Sequence, residues 1–530
     1  MELIARFFYS LTVYCGWLLA PIYSIFAFRP TKLLPPLKRP DILNLSAVKL
    51  ADKIRKKELT SEQVMSAFIE RCRDVNGVLN AIVEDRFIAA LEDAKNVDQF
   101  ISSGQKTEEQ LKMEFPLLGV PITVKEACKV EGLSYSVGAK LRKGIKSDGD
   151  GKAVAKLKEA GAIPIAVTNT PELCASIETL NYITGYTVNP YDTTRTSGGS
   201  SGGEAALISS AASTLGVGSD FGGSIRVPCL FTGIFGHKPT PGIVSNDGHY
   251  PNLMDKEYQK LLTIGPMCRY AEDLKASLKI MAGENAVALN LDSEVNIADL
   301  KIYYNFDKGF TLSELSVNSD FKKSIKLAVE YFELTYGCTT EKLNLPELND
   351  ITEICIMQAA DVENLKEVFF LKGVENESNL YLELIKGLTH FSDYCLQTVI
   401  MRFVVESLLF IPCYKRFKYS AERNDLSKRI KETLGENGVF IFPTFTTTAF
   451  HKYELIWKIS SMGYPMMVNV LGLPATQVPT GLNKKGLPIG FQVVAAPNQD
   501  RLCIAVAQEL EKLFGGWVPP PSSYKESYFY

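Results

Sequence analysis

The chain has 530 residues, a formal net charge of −3 and 22% charged residues, a balance that gives no basis for an electrostatic nucleic-acid surface. Its hydrophobic content of 46% is ordinary for a globular protein with a large core. The eleven cysteines include no CxxC pair and their number is odd, which argues against a disulfide framework and against a zinc site. We therefore predict no metal, no other cofactor and no nucleic-acid partner.

The N-terminal part of the chain contains an uncharged run over 7–28 that is long enough to span a bilayer. A cleaved signal peptide would have a shorter apolar core and a small-residue cleavage site, and an interfacial helix is a further alternative. Four basic residues over 29–39 follow the run, and this charge favours a catalytic domain that faces the cytoplasm. We predict a single-pass anchor over 1–29 in an endomembrane, followed by a Pro-rich tether over 30–44.

Short apolar strands alternate with helices through the rest of the chain, and this alternation predicts an α/β architecture with a mostly buried sheet. We assign one large catalytic domain to 45–518 and predict that the Pro-, Ser- and Tyr-rich tail over 519–530 is disordered. The predicted elements are helices after Ser46 and Thr60, a helix over 86–102, a strand over 119–125, a helix over 150–160, a strand over 163–168, strands over 439–442 and 489–494, and a helix after Asp500.

Residues 290–440 have mainly helical patterning, and one apolar segment within them, 395–412, has two interpretations. It is either a helix of the protein core or a membrane-docking cap beside a lipid entry route, with the basic stretch 415–418 directly after it. Arg402 and Glu406 within the segment argue against a second membrane-spanning helix.

Two serines stand in glycine-rich turns between residues 198 and 240. Ser200 lies in the sequence GGSSGG and Ser224 in the sequence DFGGSIR. Glycine permits a positive φ and lets a substrate approach the main chain, while consecutive amides in such a turn can hold an oxyanion. A flexible Gly/Ser linker is the alternative. An Ala-rich helical run and then an apolar strand follow the first turn at once, which favours a buried loop–helix–strand–loop instead.

A serine nucleophile requires a base, and the chain contains only four histidines. Lys125 ends the apolar, β-branched run over 119–125, which is typical of a buried strand. Burial favours the neutral amine of a lysine, and a neutral amine can act as a base. A competing interpretation takes GGSSG as the G-x-S-x-G nucleophile elbow of α/β-hydrolases, with Ser200 as the nucleophile and a histidine as its base.

Taken together, the strand that ends in Lys125, the GGSSGG turn and the Gly-Gly-Ser turn resemble the amidase signature family. The resemblance spans roughly 45–515, and the fold that it implies is a central mixed, twisted β-sheet covered by helices. Further short motifs carry it at 168–173, 236–239, 471–475 and 486–492.

By this resemblance, a Ser-Ser-Lys triad performs the chemistry. Ser224 is then the nucleophile that forms an acyl-enzyme, and Ser200 bridges it to the base Lys125. The implied supporting residues are the amides of Phe221, Gly222, Gly223 and Ser224 as the oxyanion hole, Cys174 as a backbone contact to substrate, and Ser201, Asp220 and Arg226 as a shell that fixes the turns. Phe221 departs from the smaller aliphatic residue that is usual in the family, but only its N–H is required.

The family cleaves many kinds of amide, so the substrate is a separate inference. The predicted anchor and the apolar segment favour a lipid, and the resemblance points to N-acylethanolamines and primary fatty amides as substrates of a membrane-anchored serine hydrolase. Three alternatives stay open: an amidase of a small non-lipid amide, an amidotransferase subunit that releases ammonia, and an inactive membrane-tethered scaffold. A homodimer is compatible with the sequence, which does not determine the oligomeric state.

Overall fold

The protein is described by a computed structural model that covers residues 31–308, 316–363, 365–369, 379–389, 391–407, 413–452 and 454–523. Eleven of the described strands form one mixed sheet in the order β1-β3-β2-β6-β8-β7-β12-β13-β11-β9-β10, and β4 pairs with β5 separately. The strands are β1 (Ile82–Asp85), β2 (Pro121–Lys125), β3 (Ile163–Thr168), β4 (Leu180–Asn181), β5 (Gly185–Tyr186), β6 (Leu215–Asp220), β7 (Phe235–Lys238), β8 (Thr263–Cys268), β9 (Lys301–Tyr304), β10 (Thr339–Lys342), β11 (Gly438–Phe442), β12 (Ala475–Leu482) and β13 (Pro488–Ala495).

Helices pack around this sheet. They are α1 (Pro40–Leu43), α2 (Ala47–Arg55), α3 (Ser61–Leu79), α4 (Phe87–Ser102), α5 (Glu108–Glu114), α6 (Lys152–Glu159), α7 (Gly202–Ser209), α8 (Arg226–Thr232), α9 (Lys256–Leu261), α10 (Glu272–Ala282), α11 (Ser319–Tyr336), α12 (Ile351–Ala360), α13 (Lys366–Phe369), α14 (Leu380–Leu388), α15 (Leu396–Ser407), α16 (Cys413–Leu434), α17 (Leu455–Lys458), α18 (Gly463–Val470) and α19 (Asp500–Phe514). The predicted α/β architecture with a central mixed sheet is confirmed.

The sequence patterns place most elements correctly. The helices predicted after Ser46 and Thr60 are α2 and α3, and both residues cap their helices through the side-chain oxygen. The region over 290–440 is mainly helical as expected, but it also contributes β9 and β10 to one edge of the sheet. These two strands are short, and β10 is largely exposed, so they carry little of the apolar alternation that reveals a strand in a sequence.

Three parallel strands near one end of the sheet position the residues of interest. β2 lies between β3 and β6, and every residue of all three strands is buried. Strands that are covered on both faces have continuous apolar sequences, and the run that ends in Lys125 is of this kind. Because the strands are parallel, their carboxyl ends lie at one edge, where Lys125 pairs with Thr168.

Apolar residues of the predicted tether over 30–44 are packed against the domain. Leu34 is 1% exposed, and Ile42 and Leu43 are also buried. The tail is ordered in part, because the amide of Ser523 donates to the carbonyl of Leu34 at 2.8 Å. Burial of these apolar side chains compensates for the ordering of the chain. Residues 519–523 are thus placed against the domain at Leu34, while 524–530 lie outside the described residues.

The predicted anchor over 1–29 also lies outside the described residues. Among the helices that the structure describes, none combines the length and the apolar character needed to cross a bilayer. Within the apolar segment over 395–412, the side chains of Thr398, Val399 and Arg402 on α15 are buried, which agrees with the core interpretation for this part. Residues 408–412 are not among those described.

Candidate active site

Lys125 is the last residue of β2 and its side chain is completely buried. Its Nζ lies 2.6 Å from Oγ of Ser200 and 2.8 Å from Oγ of Ser219. The structure thus brings together the lysine and the first predicted serine, which are far apart in the sequence. It also adds Ser219, on the adjacent strand β6, as a contact that we did not predict.

The two glycine-framed turns lie against each other. Ser200 and Ser201 come directly before α7, Ser224 is two residues before α8, and the amide of Ser201 donates to the carbonyl of Ser224 at 3.2 Å. Gly223 has a φ of 115°, and a Cβ at this position would lie 2.5 Å from Cβ of Pro465. A side chain is therefore excluded here both by the backbone conformation and by space.

A buried ion pair holds the second turn. Asp220 and Arg226 are fully buried, and two contacts of 3.0 and 3.1 Å join the guanidinium to the carboxylate. Arg226 also donates to Gln492 at 2.7 Å and to Asn469 at 2.6 Å. Burial on its own would raise the pKa of Asp220, but the charge and hydrogen bonds of Arg226 outweigh it and hold this pKa well below its usual range.

The same carboxylate uses one of the four predicted oxyanion donors. The amide of Gly223 donates to Oδ1 of Asp220 at 2.7 Å, so it is directed into the turn. The amides of Phe221, Gly222 and Ser224 therefore remain as the candidate donors of the predicted oxyanion hole. Ser224 is 8% exposed, whereas Lys125 is fully buried.

Cys174, the predicted substrate contact, lies half-buried in a short loop, at the end of its 3-10 turn over Glu172–Cys174, and has a φ of 58°. Its amide donates to the carbonyl of Pro171 at 2.9 Å, and its thiol lies 3.4 Å from Oγ1 of Thr170. A backbone contact between Cys174 and a substrate would therefore use its carbonyl oxygen.

The chain matches a known protein family over most of its length. The family model described as Amidase matches residues 63–504.

The chain belongs to the amidase signature family.

It is 40% identical over 512 residues to fatty-acid amide hydrolase 2-A of Danio rerio, with 95% of each chain covered. It is also 40% identical over 492 residues to fatty-acid amide hydrolase 2 of Homo sapiens, with 92% of each chain covered. Among solved structures, a fatty acid amide hydrolase matches with a TM-score of 0.73 at 22% identity, over 91% of this chain and 87% of that one. This last likeness is one of fold. The predicted family and the prediction of an amide-cleaving enzyme are confirmed.

The described histidines of this amidase do not fit the nucleophile-elbow alternative. His237 is hydrogen-bonded to Thr476 and Asp500, and His451 contacts Thr194. His249 contacts Ser219 and the carbonyl of Pro251. None of these three histidines, which are the ones within the described ranges, is hydrogen-bonded to either serine of the predicted triad.

Two residues beside the base were missed by the sequence reasoning. Ser219 is the only side chain besides Ser200 that we find hydrogen-bonded to Lys125 among the described residues, and His249 contacts Ser219 in turn. A polar residue at the end of β6, beside a strand that ends in lysine, was the available signal for Ser219. His249 belongs to a distant loop, and nothing local in the sequence relates it to Lys125.

Glu204 is a further buried group near the base. Its carboxyl oxygens lie 2.6 Å from Oγ1 of Thr123 and 2.8 Å from Oγ1 of Thr168. Burial raises the pKa of Glu204 to about 8, although the two threonines and Lys125 oppose this effect. The single hydroxyl proton of Thr123 also has an acceptor in Ser213 at 2.9 Å. A protonated Glu204 that donates to Thr123 satisfies both contacts.

Proposed function

We propose that this amidase is a serine hydrolase that cleaves fatty-acid amides to a fatty acid and an amine through an acyl-enzyme on Ser224. The observation that carries the proposal is the 2.6 Å contact between Nζ of Lys125 and Oγ of Ser200, next to the turn that holds Ser224. A fully buried lysine in contact with a hydroxyl is suited to move a proton to and from that hydroxyl.

The proposed reaction uses this contact as a proton relay. The amine of Lys125 takes the proton of Ser200, and Ser200 takes the proton of Ser224 as Oγ of Ser224 attacks the amide carbon. Amides of the Ser224 turn hold the negative oxygen of the tetrahedral intermediate. The relay then returns the proton to the leaving nitrogen and the carbon–nitrogen bond breaks. Water attacks the ester carbon through the same relay and releases the fatty acid.

Ser201, Asp220 and Arg226 act as supports in this proposal. Ser201 links the two turns through its amide, and its hydroxyl lies 3.3 Å from the carbonyl of Ser219. The carboxylate of Asp220, which is paired with the Arg226 guanidinium, accepts hydrogen bonds from three amides of the turn, those of Gly223, Ile225 and Arg226. Such contacts fix the direction of Ser224 before the substrate binds, which lowers the reorganisation needed for catalysis.

An apolar cluster beside the turn supports a lipid acyl group. Phe221 packs against Tyr258 with ring centroids 5.3 Å apart, in a cluster to which Met466 and Met401 of α15 also contribute. A Cβ on Gly222 would lie 3.5 Å from Cγ of Met466. The likeness to the fatty-acid amide hydrolase 2 proteins supports fatty-acid amides as the substrate class. Within this class, N-acylethanolamines and primary fatty amides are the substrates that we propose.

Membrane attachment is part of the proposal. We assign the anchor to the uncharged run over 7–28, with the catalytic domain over 45–518 on the cytoplasmic side of an endomembrane. A docking surface is supported by exposed apolar side chains on and after α14 and at the start of α16, not by those of α15. They are Tyr381, Leu382, Ile385, Leu388, Phe391, Tyr414 and Phe417, with exposures from 50 to 89%.

A contact joins this region to the predicted substrate loop. The carboxylate of Glu172 accepts the amide of Cys395 at 2.7 Å, directly before α15, and Cys174 lies in the same loop as Glu172. Burial raises the pKa of Glu172 to about 7, against the opposing effect of this amide. The loop and the start of α15 are therefore joined inside the protein.

Hydrolysis by the purified full-length chain tests the function. Oleamide and N-oleoylethanolamine are compared with acetamide and glutamine, and the product amine is measured for the wild type and for Ser224→Ala. We expect hydrolysis of the long-chain amides that Ser224→Ala abolishes. Preferred release of ammonia from glutamine would favour the amidotransferase alternative. A folded wild-type protein that neither cleaves an amide nor reacts with a fluorophosphonate at Ser224 would favour the inactive scaffold.

A further inference from the structure

His249 lies close to Lys125 because its loop is attached to the segment that follows β2. The amide of Tyr250 donates to the carbonyl of Ala127 at 2.8 Å, and His249 forms an isolated β-bridge with Cys128. The imidazole is 5% exposed. A polar ring that is buried to this extent must find its hydrogen-bond partners within the protein.

The partners of the ring determine which nitrogen carries the proton. Nδ1 lies 2.8 Å from the carbonyl oxygen of Pro251, which can only accept, so Nδ1 is the protonated nitrogen. Tyr258 donates to the same carbonyl at 2.8 Å and thereby holds it in place. Burial is the main cause that lowers the pKa of His249, to about 3. The ring is therefore neutral near pH 7, and Nε2 is an acceptor.

Nε2 lies 2.8 Å from Oγ of Ser219. Because Nε2 can only accept, the single hydroxyl proton of Ser219 points toward the ring. Oγ of Ser219 then presents its lone pairs to Nζ of Lys125, which is also 2.8 Å away. The direction of this hydrogen bond is consequently set: Lys125 donates and Ser219 accepts.

We propose that His249 is a positioning residue of this amidase, which orients the Ser219 hydroxyl so that the lone pair of the Lys125 amine stays available to the proton of Ser200. This inference rests on the function proposed above. A neutral amine has one lone pair, and a Ser219 hydroxyl free to turn would donate into it. The proton of Ser200 would then lose its acceptor in part of the molecules, and Ser224 would react more slowly without any change in how substrate binds.

Two substitutions at position 249 separate the two contacts of the ring. In His249→Gln the side-chain amide oxygen reaches about as far as Nε2 and can accept from Ser219. In His249→Asn the shorter side chain can donate to Pro251 as Nδ1 does, but it leaves Ser219 without its acceptor. The control is His451→Asn, because His451 contacts Thr194 and Arg195 and takes no part in the Lys125 contacts.

The experiment measures two quantities on the full-length chain and its variants. These are kcat and KM for oleamide, and the rate at which a fluorophosphonate labels Ser224, located by peptide mass spectrometry. We expect His249→Asn to lower kcat and the labelling rate about 10-fold, a part of the ~10²–10⁴-fold that positioned proton transfer contributes. KM should stay unchanged, His249→Gln should recover most of the rate, and His451→Asn should have no effect.

Ser219→Ala supplies the decisive background, because it removes the hydroxyl through which His249 acts. In that background, His249→Asn should change kcat and labelling less than 2-fold if the inference is correct. An equal loss in both backgrounds, or wild-type rates for His249→Asn, would overturn it. If the wild type is labelled at Ser224 and substitutions at position 249 leave the labelling rate unchanged, this inference alone is defeated. If the wild type is neither labelled nor active, the proposed function is defeated as well.

Discussion

Two parts of this amidase combine polar and apolar groups in opposite ways. At the ends of β2 and β6, polar side chains are fully buried, and each one described there is hydrogen-bonded or ion-paired, as Lys125 and Asp220 are. After α14 and at the start of α16, apolar side chains are exposed, with Phe391 at 83% and Phe417 at 89%. Each buried polar group would cost on the order of a few kcal/mol without its partners, and each exposed large apolar side chain forgoes about 1.5–3 kcal/mol that its burial would contribute. Such costs are typical of regions that serve function.

Among the buried polar groups at the ends of β2 and β6, removal of the base should have the largest effect on activity. We expect Lys125→Ala to lower kcat by about 10³–10⁴-fold, because among the described residues no other basic side chain is hydrogen-bonded to Ser200. Steady-state hydrolysis of oleamide measures this. The double variant Lys125→Ala/Ser224→Ala should be no worse than the more impaired single one, because the residues act as a unit. A Lys125→Ala enzyme within tenfold of the wild type would contradict the relay.

Stability should respond most to the buried ion pair. Arg226→Met leaves the carboxylate of Asp220 buried without its partner, and we expect a loss of about 3–5 kcal/mol in the free energy of unfolding. Urea unfolding followed by circular dichroism measures the change. Lys56→Met is the matched control, since it breaks an exposed pair with Asp52 and should leave the urea midpoint unchanged. Equal midpoints for both variants would show that burial does not matter here.

The second region should affect the use of lipid substrates without affecting chemistry. Ile385→Glu combined with Leu388→Glu places two charges on the exposed face of α14. We expect kcat/KM to fall roughly 10-fold for oleamide supplied in vesicles, since each large apolar side chain contributes about 1.5–3 kcal/mol when it leaves water. Hydrolysis of a short soluble amide should not change. Leu334→Glu, at a residue 85% exposed on α11, is the control, and an equal loss there would remove the proposed docking surface.

The smallest expected effect concerns Glu204 and pH. Its pKa of about 8 in the folded protein lies above that of an unfolded glutamate, near 4.5, so the unfolded chain binds fewer protons between these values. Stability must therefore fall as the pH rises from about 4.5 to about 8. Glu204→Gln should reduce the loss in the free energy of unfolding between pH 5 and pH 8.5 by about 1 kcal/mol or more. Parallel urea midpoints for the two proteins across this range would exclude a protonated Glu204.

Local sequence patterns were sufficient for the elements that carry the candidate site. A continuous apolar run ending in Lys125 predicts a strand covered on both faces, and glycine-framed serines predict tight turns, because both depend on residues close in sequence. The pairing of Lys125 with Ser200 needed the family resemblance, since no local pattern relates a strand end to a turn 75 residues later. His249 could not be found in either way, because only the folded loop brings it to Ser219.

The apolar segment over 395–412 shows a second limit. Hydropathy alone left both the core and the docking interpretation open for this stretch. In the structure Val399 and Arg402 on α15 are buried, and the exposed apolar residues lie on α14 and α16. An apolar side chain in the sequence does not reveal whether protein or solvent covers it, because that depends on which helices pack together. Likewise, Pro-rich composition predicted a loose tether, whereas three apolar side chains within it are buried.

The bridge between Leu34 and Ser522 has a consequence for how the enzyme would sit on its membrane. The hydroxyl of Thr31 donates to Asp192 at 2.8 Å, so the chain contacts the folded domain within a few residues of the proposed anchor. If the proposed anchor is correct, so short a connection would limit how far the domain can tilt on the bilayer, and Ser522 and Ser523 of the C-terminal part lie beside the same segment, at Leu34. A fluorescent protein fused after Tyr530 would therefore stand close to the bilayer and compete with it for space, whereas one inserted at a distant surface loop would not.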